Sequence, residues 1–204
     1  MERLWIPMIV TFFSFGGLLL GGAVGIATRQ LIEEKMHRLY ALCGGILLGL
    51  LSLEIIPETF ASYEIIGPIL GIAIGILVMS LLDNYCHHPT IHKKNQQAWQ
   101  TFLFLSFAIF IHNLPSGFAL GTAFINHADS AIPFLIAIVV HHIPEGLALI
   151  IPFLFTKHKY ISFLLTTLLL SLILGTGTVF GILMEGKALH LQGLIMGCLL
   201  YTSL

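Results

Sequence analysis

Between residues 112 and 149 the chain states one short pattern twice: His112-Asn113-Leu114-Pro115-Ser116-Gly117-Phe118-Ala119-Leu120, then His141-His142-Ile143-Pro144-Glu145-Gly146-Leu147-Ala148-Leu149. Histidine, proline, glycine and an Ala-Leu pair keep register in both copies. Each copy lies inside a run apolar enough to cross a bilayer. A charged side chain at the bilayer centre is penalised by roughly 2.5–3.5 kcal/mol on insertion scales, so ionisable residues retained there read as a functional site. The pattern therefore predicts membrane-spanning helices that gather imidazoles and one carboxylate inside the lipid layer.

The rest of the chain supports the membrane reading. Of its 204 residues 57% are hydrophobic and only 9% charged, against about 25% charged in soluble domains. Mean hydropathy is +0.96. Spanning about 30 Å of hydrocarbon takes about 20 apolar residues, and runs of that order recur at 5–27, 39–56, 65–82, 101–125, 131–155 and 161–184. A seventh run, 189–204, begins before the chain stops. The first run lacks a small-residue cleavage site and reads as a span, not a secretory leader. Lipid supplies no partners for backbone polar groups, so the spans must be helices. The expectation is an all-α, polytopic transmembrane bundle forming one domain over 1–204: six full spans plus a seventh at the carboxyl end.

Charge sets orientation and excludes some partners. Arg29, Lys35, Arg38, Lys93, Lys94, Lys157 and Lys159 follow the odd-numbered spans, whereas only Arg3 and Lys187 fall on the other face. The positive-inside rule then puts the odd loops in the cytoplasm and the amino terminus outside, in the cell membrane. The loop 83–100 is cytoplasmic on this reading, and its His87, His88 and His92 are candidates for loose metal capture. A net charge of -1 leaves no basic stripe for nucleic acid. Cys43, Cys86 and Cys198 are too few and scattered for a disulfide framework.

Glycines four apart recur, as in Gly17, Gly21 and Gly25, Gly117 and Gly121, or Gly177 and Gly181. Such rows let helix backbones approach closely. They predict packing, not chemistry.

The chemistry lies in the doubled pattern. Residues three and four apart share a helix face, so Glu145 sits one turn from both His141 and His142 and is the natural shared ligand. Ser116 stands in the same relation to His112 and Asn113 but offers only a neutral oxygen. Pro115 and Pro144 each remove a backbone hydrogen bond and predict a kink. If the two helices pack together, His112, His141 and Glu145 converge on one ion. Mixed imidazole and carboxylate ligation suits Zn²⁺, and also Fe²⁺, Mn²⁺, Co²⁺ or Cd²⁺. The plain alternative is that these groups merely join helices by hydrogen bonds. Glu54 and Glu58, flanking Pro57, are candidates for lining an entrance.

These residues, in the fourth and fifth spans after a His-containing loop, resemble the ZIP (Zrt/Irt-like) family of divalent metal transporters. The resemblance implies metal movement toward the cytoplasm through a site between those spans, in an eight-helix and often dimeric fold. It implies His112, His141 and Glu145 at a primary metal site, and Asn113, His142 and again Glu145 at an adjacent one. The metal is cargo, and no resident cofactor is expected. Three departures stand out: Ser116 where many members carry an acid, Leu174 where many carry a glutamate, and a chain that ends before an eighth helix. With Glu145 the one negative ligand, the expectation is one well-held ion. The readings from other classes are an intramembrane metal-dependent hydrolase, with Glu145 as general base, and a relative that binds or senses metal without moving it.

Overall fold

The computed structural model describes residues 5–50, 52, 56–57, 64–86, 94–126, 128–184, 193–195 and 197–198. Among them there is no strand. The chain folds into α1 (Trp5–Ala27), α2 (Arg29–Leu50), α3 (Ile66–Cys86), α4 (Lys94–Asn126), α5 (Ala128–Phe153) and α6 (Tyr160–Leu183). Residues 193–195 and 197–198 are also helical. Four of these helices, α1, α4, α5 and α6, are long and apolar enough to cross a bilayer. The protein is an all-helical integral membrane bundle.

Two helices start upstream of their apolar runs. α2 begins at Arg29, and Lys35 interrupts it with φ -130° and ψ 29°, between a charged first stretch and the apolar second. α4 begins at Lys94 and adds the polar residues Asn95, Gln96 and Gln97 before the apolar stretch. Hydropathy marks where a helix meets lipid, whereas backbone hydrogen bonding carries the helix past that boundary. The helices continue through their prolines: α4 contains Pro115, and α5 contains Pro133, Pro144 and Pro152.

Glycine contacts fix the helix pairing. A Cβ placed on Gly17 of α1 would stand 2.8 Å from the Val139 carbonyl oxygen and 3.0 Å from His142 Cβ, while one on Gly21 would strike the Ile143 carbonyl and one on Gly25 the Ile150 side chain. Contacts that ascend together along both chains make α1 and α5 parallel. In the same way Gly117 meets Leu174 and Thr178, and Gly121 meets Thr178 and Gly181, so α4 and α6 are parallel. α1 and α6 run antiparallel: Gly175 faces Thr11 and Pro7, and Ser14 bonds Ser171. Backbones this close gain dispersion contacts where lipid provides no hydrophobic drive for helix association.

Two apolar clusters bracket the middle of this four-helix group. One holds Leu18, Phe102, Ile109, Leu149, Ile150, Phe153, Phe163 and Leu170. The other holds Ile6, Val10, Leu120, Ile138 and Leu174. Large apolar side chains such as Ile161, Leu165, Leu169 and Leu172 on α6 stay exposed, as a lipid-facing surface requires. Separately, Gly67 and Gly71 of α3 pack against Gly193, Leu194 and Cys198.

Candidate metal site

Between the two clusters the fold buries His112, Asn113, Ser116, His141, His142 and Glu145, the first three on α4 and the last three on α5. His112 Nε2 lies 3.1 Å from His141 Nε2. Glu145 Oε1 lies 2.8 Å from His141 Nε2 and 3.9 Å from His112 Nε2. A tetrahedral ion with bonds of ~2.0–2.1 Å separates its ligand atoms by about 3.3 Å. The three observed separations straddle that edge, so one cation could be held with only small side-chain shifts. His112, His141 and Glu145 form a set whose ligand atoms all fall within 4.8 Å of one another.

Ser116 lies beside His112. Its hydroxyl donates to the His112 carbonyl at 2.9 Å, which commits the proton to the backbone. Its Oγ then turns lone pairs toward His112 Nε2 at 3.3 Å. This is a neutral oxygen, and it leaves Glu145 as the only carboxylate within α4, the Ala131–Phe153 part of α5, or α6.

Asn113 and His142 each use one polar atom on a backbone carbonyl and keep the other unpartnered. Asn113 Nδ2 donates to the Leu170 carbonyl at 3.1 Å, fixing which end of the amide is oxygen. His142 Nδ1 lies 2.6 Å from the Ile138 carbonyl. A carbonyl only accepts, so Nδ1 carries the ring proton and Nε2 is bare. This is the orientation by which a backbone carbonyl prepares an imidazole for a metal. Asn113 Oδ1, His142 Nε2 and Glu145 Oε2 are all buried without a hydrogen-bond partner. His142 Nε2 and Glu145 Oε2 stand 3.8 Å apart.

Leu174, where the resemblance implies a glutamate in many members, is a fully buried leucine among apolar neighbours. Its carbonyl abuts Gly117, so the backbone of α6 closes on α4 there. His87, His88, His92, Glu54 and Glu58 lie outside the described residues. Sequence reasoning passed over Ser14 and Ser171, a buried pair linking α1 and α6 at 3.4 Å. The available signal was a serine among phenylalanines, on the helix face shared by Val10, Gly17 and Gly21.

Comparison with known proteins gives the family. The ZIP Zinc transporter family model matches residues 84–204, which include both copies of the pattern. A relative, the zinc transporter ZupT of Corynebacterium aurimucosum, is 27% identical over 138 residues, 57% of this chain and 51% of the relative. The chain thus spans about half the length of that relative. With more than half of its residues matched by the family model, the chain belongs to the ZIP zinc transporter family.

Proposed function

We propose that the protein moves a divalent metal cation, zinc in preference to iron, manganese or cadmium, through the membrane toward the cytoplasm. The ion is held between α4 and α5 by His112, His141 and Glu145, with Ser116 as a neutral fourth oxygen. The observation that carries this reading is the convergence of two imidazole nitrogens and a carboxylate oxygen, at 2.8 to 3.9 Å from one another, inside helices otherwise made for lipid. The printed function of the relative, zinc transport, supports the choice of cargo. The excess of Lys and Arg after the odd spans supports an amino terminus outside the cell membrane.

Mechanistically, the site exchanges the hydration shell of the ion for ligands of low total charge. One carboxylate against a dication leaves a net positive centre, so the ion is held without being trapped. Conduction needs binding strong enough for entry and weak enough for exit.

The same ligands would suit a metal-activated water, the chemistry of a hydrolase. Reconstituting the protein in liposomes separates the readings: zinc flux without lipid or peptide hydrolysis supports transport, and hydrolysis without flux supports the enzyme. Metal binding with neither would describe a sensor.

A further inference from the structure

The helix faces that carry His112 and Glu145 turn apolar toward one end of the bundle, the end where the connection between α5 and α6 holds Lys157 and Lys159. On α4, Ile109, Leu105 and Phe102 follow His112 in steps of three and four, and on α5, Leu149 and Phe153 follow Glu145 in steps of four. Ile109, Phe102, Leu149 and Phe153 are buried. The Phe102 and Phe153 ring centroids are 5.1 Å apart, and Phe163 of α6 joins Phe153 at 5.7 Å. Gly22 of α1 lets the Phe163 ring in so closely that a Cβ there would stand 2.7 Å from it. Four helices thus meet on an apolar plug next to the site.

The plug is capped by a contact of another kind. His158, in the 154–159 connection, stacks on Trp99 of α4 with centroids 3.8 Å apart and planes 25° from parallel. Trp99 in turn stacks on Phe102 at 5.1 Å. Asn95, one turn before Trp99, has its Oδ1 buried and without a hydrogen-bond partner among the described residues, so water is excluded at that level of α4. The connection is held locally: Thr156 Oγ1 donates to the Phe153 carbonyl at 2.8 Å and accepts from the His158 N–H at 3.3 Å. His158 is otherwise exposed. Its ring can leave Trp99 without breaking a helical hydrogen bond.

An apolar constriction stops an ion because it offers nothing in place of the hydration shell. We propose that the stack of His158 on Trp99 is the latch of an inner gate, and that the structure is its closed form. Cargo leaves toward the cytoplasm when the 154–159 connection lifts His158 off Trp99 and the Phe102 and Phe153 rings part. The gate rests on the transport reading above and adds the step that releases the ion.

A reversible crosslink distinguishes a gate from static packing, because packing is indifferent to being tied. Full-length Trp99→Cys/His158→Cys protein in proteoliposomes is treated with a short bifunctional thiosulfonate, and wild type treated alike controls for the three native cysteines. Linking should lower zinc uptake at least about 10-fold, and a reductant should restore it. Uptake unchanged by a linkage seen in the protein mass would overturn the gate. Trp99 supplies a second measurement if the paired variant does not fold. In Trp5→Phe protein it is the one remaining tryptophan, and zinc at concentrations that drive uptake should brighten and red-shift its emission as the imidazole leaves and water enters. Constant emission during uptake would also overturn the gate. A wild-type protein that takes up no zinc would instead overturn the transport reading, and the gate with it.

Discussion

His112 and His141 belong to different helices and are 29 residues apart in the chain, yet their Nε2 atoms lie 3.1 Å from each other. Two imidazole nitrogens hold that distance only with something positive between them, a proton or a metal ion. The nearby carboxylate of Glu145, 2.8 Å from His141, makes the same demand. Each half of the repeated pattern contributes one imidazole, so the site exists only where α4 meets α5.

A first consequence concerns stoichiometry. Among the described residues Glu145 is the one carboxylate of the proposed site, and two dications beside one carboxylate would repel with little to offset them. Calorimetric titration with zinc should give one tightly bound ion per chain, any second binding being at least about 10-fold weaker. Two equally tight ions bridged by Glu145 would contradict the charge argument.

Ser116 gives the converse test. Its Oγ already stands 3.3 Å from His112 Nε2. Ser116→Glu adds a second carboxylate at that corner and should tighten zinc binding by at least about 10-fold, of the order by which changes around a metal shift affinity. Transport should slow, because release becomes limiting. No gain in affinity would mean that position 116 does not face the ion.

Adjacent glycines on α1 separate packing from propensity. A Cβ at Gly17 would stand 2.8 Å from the Val139 carbonyl oxygen, whereas one at Gly16 meets nothing within 4 Å. Gly17→Ala should destabilise the protein by about 1–3 kcal/mol and weaken zinc binding, since His142 must move with α5. Gly16→Ala should be neutral, or stabilising by up to about 1 kcal/mol. Thermal unfolding in detergent measures both, and equal midpoints for the two variants would refute the close α1 to α5 contact.

The helical class and the membrane setting were legible because apolar runs of span length permit no other backbone in lipid. The grouping of the buried polar side chains was legible as well, since spacing along one helix puts Glu145 beside His141 and His142. Partner choice was not. Gly17 and Gly117 announce close approach equally, and nothing local says that one meets α5 and the other α6. Ser14 and Ser171 were missed for the same reason: a buried serine reveals its role only when the facing helix is known.

Zinc uptake by cells carrying the wild-type protein, beside His141→Ala and Glu145→Ala at matched membrane abundance, tests the transport site most directly. Each substitution removes one member of the proposed three-ligand set, and uptake should fall at least about 10-fold, toward background. Uptake at the wild-type rate in both variants would contradict a cargo site built from His112, His141 and Glu145.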